Sequence, residues 1–254
     1  MTAALDSVFE ALALPPATAI NKRVPKTVFN DQADLSAADK RLLDSGLERL
    51  DWRATLRPAS VGLAAYSDEV RAYPQIVVMS ARLRPGAVAD RLTTVIHRAI
   101  AHPLLLLCGA EAAVVLSVGL KRHHEREEGR VVVERIAASP AMTAPFAPLA
   151  ETFLNSLVLA GIGGRDLWTL HLGWAERVEA FAVAQVTGAF RLPIDEGEAQ
   201  TRRDELAGHE AQTRTIAALR KRAQAEKQLN RRIDLARAVA QAENQLAGIV
   251  ARLT

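Results

Sequence analysis

The 254-residue sequence contains a single cysteine, Cys108, which sits in the apolar run "PLLLLCGA". That excludes a disulfide framework, and the expected compartment is reducing and intracellular. A lone thiol among leucines reads as a small buried hydrophobe in a strand before it reads as a nucleophile. Aromatic residues make up only 4% of the chain, so the core must be packed from aliphatic side chains. No run approaches the ~18 apolar residues that a membrane span needs. The start lacks a basic region followed by an apolar segment, so no secretory leader is read. A cytoplasmic protein without membrane contact is expected.

Catalytic signatures are also missing. There is no Gly-x-Ser-x-Gly elbow, and no Ser/His/Asp set can be assembled. "GIGGR" resembles a phosphate-binding loop only in composition; it follows a helix instead of a strand and reads as a helix stop. No cofactor is expected.

What is present is an ordinary globular balance, 49% hydrophobic and 24% charged, enough for one large domain or one domain with an appendage. Residues 5–14 place Leu5, Val8, Phe9 and Leu12 at helical spacing, ended by Pro15-Pro16. "INKRVPKTVF" follows, with Lys22, Arg23 and Lys26 around Val24 and Pro25. Pro25 biases Val24 to extended geometry, which predicts an exposed linker between two short helices, either a solvated connector or, as the preferred reading, an arm whose cations dock on an acidic partner or nucleic-acid phosphate. Ser36 and Asp39 form a capping-box pattern, and Leu42, Leu43, Leu47 and Leu50 then predict one helix face.

From Trp52 to about Ala137 the period changes. "VRAYPQIVVMSARL", "HPLLLLC", "AAVVLSVGL" and "RVVVERIA" read as strands, with a weaker strand before residue 57 and a hairpin near Lys121 to Arg130. Between the first two, Val88, Leu92, Val95, Ile96 and Ile100 predict a crossing helix. After "SPAMTAPFAP" the chain turns helical: "APLAETFLNSLVLAGI" predicts one helix, and Leu167, Leu170, Trp174, Val178 and Phe181 a second, from about Arg165 to Phe190, ended by Pro193. His171 falls near that stripe and reads as a hydrogen-bonded histidine at the core edge.

Gly197 to Thr254 contains no proline and reads as helix throughout. Unbroken, it would span roughly 87 Å. Leu206, Thr213, Ile216 and Leu219 form a modest stripe. Leu235, Val239, Ala242, Leu246, Ile249 and Leu253 alternate steps of four and three, a helix–helix seam that predicts pairing within the chain or a homodimer. Between them lie Arg220, Lys221, Arg222, Lys227, Arg231 and Arg232 with one acid, Glu226. The chain carries +3, and this stretch alone carries +5, so the basic character sits in one place. It reads either as a solvated bridging helix or as a surface for nucleic-acid phosphate or an acidic partner. The fold class is therefore α+β, a mixed sheet with a crossing helix followed by an all-helical C-terminal part. The expected divisions are 1–140, 141–195 and 196–254.

Three stretches, "LALPPATAINKRVPKTVF", "VIHRAIAHPLLLL" and "AEKQLNRRIDLARAVAQAENQL", together resemble the bacterial domain of unknown function 4391 family, in the family's order and over nearly the full length. The resemblance implies a gene beside helicases and DNA methyltransferases in restriction-like anti-phage islands. It thereby implies a helicase or methyltransferase partner, with non-specific DNA contact. The chain departs from the pattern at Ala101, where a proline is usual, and in "AYPQIVVMSARL", which lacks the family's acidic residues and lysine.

That departure bears on the alternative reading, a metal-dependent nuclease. Such a site needs an Asp and a nearby Glu-x-Lys on strands to hold a divalent cation and activate water. Asp68 and Glu69 precede the strand and no Glu-x-Lys follows. His123, His124, Glu125, Glu127 and Glu128 offer metal donors, but adjacent histidines on a strand point to opposite sides, so a solvated hairpin tip is expected.

Overall fold

The computed structural model describes residues 3–29, 35–110, 112–127 and 129–254. The chain forms two compact units, one running through Phe181 and the other Ala182–Thr254.

In the first unit, helix α1 (Ala3–Ala11) buries Ala4, Leu5 and Val8. The predicted linker is instead strand β1 (Ala19–Val24), paired antiparallel with β2 (Leu47–Leu56). It escaped the sequence because it is an edge strand exposed on both faces, so no alternation marks it. A register irregularity between Ala19 and Lys22, with Asn21 at φ 50°, bulges this edge. Lys26 lies in a single 3-10 turn, Lys26–Phe29.

The capping box opens α2 (Ala37–Gly46): Asp39 N donates to Ser36 Oγ at 3.1 Å, and Ser36 N donates to Asp39 Oδ2 at 3.2 Å. The helix is shorter than its leucines suggest. Leu47 and Leu50 belong to β2. A side chain at Gly46 would put its Cβ 2.7 Å from Leu92 Cδ1, so the chain passes close under the crossing helix there and turns into strand.

Next come α3 (Pro58–Val61), β3 (Tyr66–Ser67), β4 (Ala72–Tyr73), β5 (Ile76–Leu83), α4 (Ala89–Ala99), β6 (Leu104–Ala110), β7 (Ala113–His123), β8 (Val131–Ala138) and β9 (Met142–Thr143). The main sheet runs β1-β2-β5-β6-β7-β8, with β9 beside β7, and β3–β4 is a separate pair. β5 and β6 are parallel, and a parallel pair cannot be closed by a hairpin, so α4 supplies the crossover. Val77, Met79 and Ala81 pack with Leu104, Leu106 and Cys108 under Leu92, Val95 and Ile96 of α4. The intervening Ile76, Val78, Leu105 and Leu107 are buried as well, which is why these strands read as continuous apolar runs.

"APLAETFLNSLVLAGI" forms two helices, α5 (Pro148–Ser156) and α6 (Leu159–Ile162), not one. Side chains of α7 (Leu167–Thr187) take the carbonyls freed at the break. Arg177 Nε donates to Ser156 O at 2.9 Å and Trp174 Nε1 to Leu157 O at 3.0 Å. The stripe Leu167, Leu170, Trp174, Val178 and Phe181 is buried as expected. α7 ends at Gly188, φ 79°, before Pro193 is reached.

The second unit is an antiparallel helical pair. The expected single helix breaks at Glu226–Gln228 into α8 (Glu196–Ala225) and α9 (Leu229–Leu253), of about 45 and 38 Å. Cross-links fix the register: Arg252 Nε to Glu205 at 2.6 Å, Gln212 Nε2 to Gln245 Oε1 at 3.0 Å, and Arg220 to Glu243 at 2.6 Å. The turn contains neither glycine nor proline. Glu226 closes it, donating its N–H to Arg222 O at 3.1 Å and accepting Gln228 N at 2.9 Å. Among the described residues no helix is long and apolar enough to cross a membrane.

Candidate functional surface

The break in the C-terminal helix changes what the basic stretch is. Arg220, Lys221 and Arg222 close α8, Lys227 stands in the turn, and Arg231 and Arg232 open α9. Six cations thus gather at the tip of a hairpin instead of along a rod. Arg220 is held by Glu243. Lys221, Arg222, Lys227, Arg231 and Arg232 are exposed, and among the described residues none has an ion-pair partner within 4.0 Å.

Beside these cations lie two apolar side chains, Leu229 and Ile233, 66% and 43% exposed. With Ala223, Gln224, Arg232 and Ala236 they line a groove of about 560 Å³. The sequence signalled the charge but not the groove, because the groove exists only once the chain turns back. The seam residues lie further from the tip. Leu253 and Ala242 are buried, while Leu235, Val239, Leu246 and Ile249 are half-buried on α9, which packs against α8.

The other cations belong to the first unit. Lys22 and Arg23 are exposed on β1, and Lys26 Nζ donates to Asp44 O at 3.1 Å.

Sequence reasoning missed a buried polar cluster around β7. Lys121, which stands at the start of an expected solvated hairpin, is 2% exposed. Its ammonium donates to the carbonyls of His97 and Ile100, the latter at 2.7 Å, and so closes the C-terminus of α4. Its backbone N–H donates to Tyr73 Oη at 2.9 Å. Burial pulls the Lys121 amine down to about 8. Ser117 Oγ donates to Leu106 O at 3.3 Å, so His97 Nε2–H donates to Ser117 Oγ at 2.9 Å and its Nδ1 carries the lone pair. That Nδ1 faces Gly119, where a Cβ would lie 2.3 Å away. His171 is fully buried, donates from Nε2 to Gly119 O at 3.1 Å, and is drawn down to about 4 by burial. Both rings are neutral at neutral pH, His97 by burial and then by the Lys121 charge. These donors and acceptors tie elements together and present no open nucleophile.

Four of the candidate metal donors, His124, Glu125, Glu127 and Asp68, are otherwise engaged. Glu125 pairs with Arg122 at 3.1 Å and Glu127 with Arg130 at 2.7 Å, while His124 Nδ1 accepts the N–H groups of Arg126 and Glu127. Glu128 lies outside the described residues. Asp68 accepts the Tyr66 hydroxyl at 2.7 Å and the N–H groups of Val70 and Arg71, which fixes the turn between β3 and β4. Among the described residues no three His, Cys, Asp or Glu side chains gather where they could hold a metal ion. Cys108 is buried, and burial pushes its thiol up to about 11.

No curated protein and no solved structure matches the chain. A family model does match, over residues 12–246, which is nearly the whole length. The chain belongs to the family described as domain of unknown function DUF4391.

Proposed function

We propose that this chain is a non-catalytic accessory subunit of a bacterial anti-phage, restriction-like system. Its hairpin tip would hold a helicase or DNA methyltransferase partner, with sequence-tolerant contact to nucleic-acid backbone beside it. The observation that carries the reading is the tip itself. Five exposed cations without ion-pair partners among the described residues are concentrated within about two helical turns of one bend. Like charges this close repel one another, and an acidic surface relieves that repulsion while releasing counterions. No element here resembles a base-reading motif, so contact with DNA would be weak and steeply weakened by salt. The genomic setting follows from the family resemblance and extends the physical reading to a particular kind of partner.

Reversing Arg222, Lys227, Arg231 and Arg232 to Glu tests the reading while leaving the Arg220–Glu243 pair in place. Binding to the partner that co-purifies with the native chain, and to duplex DNA at low salt, is expected to fall at least about a hundredfold. Thermal unfolding is expected to be unchanged. Wild-type protein that binds neither, or a reversed variant that binds both equally well, would overturn it.

A further inference from the structure

Charge does not account for the whole tip. Leu229 and Ile233 are four residues apart and Ala236 three further on, so the three share one stripe of α9, and the leucine and isoleucine are 66% and 43% exposed. This stripe is rotated about one residue away from the seam Leu235, Val239 and Ala242, so α8 covers it only in part. Ala223 and Gln224 of α8 complete the groove, and its one charged lining residue is Arg232. Arg222, Lys227 and Arg231 stand within a turn of it, and no acid lines it.

Phosphate backbone fits this arrangement poorly, since it offers nothing apolar to cover a leucine and an isoleucine. A second copy of the tip would bring cations against cations. What complements an apolar helical stripe fringed with positive charge is an amphipathic helix with acidic flanks. The small side chains of Ala223 and Ala236 leave room for its backbone, within the ~8–10 Å at which helices pack.

We infer that the hairpin-tip groove receives one amphipathic helix of a partner protein. Its apolar stripe packs on Leu229, Ile233 and Ala236, and its Asp and Glu side chains meet Arg232 and the neighbouring cations. The inference rests on the partner-docking reading of the same tip and narrows the partner from any acidic surface to an acidic helix.

The test uses the full chain and fluorescence anisotropy with three labelled probes: a synthetic helix of about 20 residues with a leucine stripe and glutamate flanks, polyglutamate of equal charge, and a duplex of about 20 base pairs. Wild type is expected to bind the helix at least about tenfold tighter than polyglutamate. Leu229→Ser with Ile233→Ser is expected to lose about tenfold or more on the helix and nothing on the duplex. Both residues are exposed, so circular dichroism and thermal unfolding should not move. If the serine variant binds the helix unchanged, or polyglutamate binds as well as the helix, the groove inference is overturned while docking by charge stands. If wild type sediments as a dimer that the serine variant breaks, the occupant is a second copy and the inference is likewise overturned. If wild type binds none of the three probes and the charge-reversed variant still holds the co-purified partner, both readings fall together.

Discussion

The chain uses cations in two opposite ways. In the first unit Lys121 is buried and donates to two carbonyls at the end of α4, with no ion-pair partner among the described residues. In the second unit five cations stand in water at a bend beside a single acid, Glu226, and none has an ion-pair partner within 4.0 Å among the described residues. The buried ammonium is held by backbone dipoles at the expense of desolvation, so it serves the fold and its removal should show in stability. The exposed cations contribute nothing to packing, so their removal should show in binding alone.

The comparison breaks most visibly at Gly119. Gly119→Ala would drive a methyl into the His97 ring, at 2.3 Å from Nδ1, where a fully buried side chain held by Ser117 cannot move aside. A loss of about 3 kcal/mol or more is expected in urea unfolding, with probe binding by the tip unchanged. A milder loss would mean that the cluster around β7 is looser than described.

Lys121 sharpens the same contrast through pH. Its amine titrates near 8 in the fold and near 10.5 when exposed, so between these values the unfolded chain binds more protons. Stability should therefore rise with pH across that window and be flat below it, by about 3 kcal/mol in total. Lys121→Met should remove that rise, seen as the difference between the two pH profiles, whereas Arg231→Met should leave it intact.

In the second unit, Leu246→Asp with Ile249→Asp places two charges on the half-buried seam. About 2 kcal/mol of hairpin stability should be lost, with a fall in helical circular dichroism. Unchanged helicity and unchanged mass in solution would show that the seam is not where the pair is held. Smallest of all, Arg252→Ala removes a surface pair with Glu205, and the least change in thermal unfolding of the series should follow.

How much of this was legible depended on what each residue touches. β5 and β6 are buried on both faces, and that writes apolar runs such as Leu104 to Leu107 directly into the sequence. β1 has neither face buried, so it left no pattern and passed for a linker. Leu47 and Leu50 fall by coincidence at helical spacing from Leu43; their pairing with Leu83 and Ala81 of β5, far away in the sequence, places them in a strand. The hairpin turn at Glu226–Gln228 is closed by a glutamate, with no glycine or proline to announce it, so the basic stretch read as part of a rod. Its charge was evident from sequence, whereas the apolar groove beside it comes from two segments that meet only after the turn. Lys121 heads a run of charge and looks solvated; only the position of the α4 terminus buries it.

The fastening of α4 also has a consequence for synthesis. The helix lies between the two parallel strands, yet the side chains that hold its far end, Ser117 and Lys121, come from β7, after both. While the ribosome is still making β6, the crossover has its apolar face and the Arg98–Asp39 pair, but not the ammonium that takes its last carbonyls. Only when residue 121 has cleared the exit tunnel can the helix terminus be tied down. A nascent chain halted shortly before that point should hold the helix loosely and remain open to proteases, and one halted some tens of residues later should not.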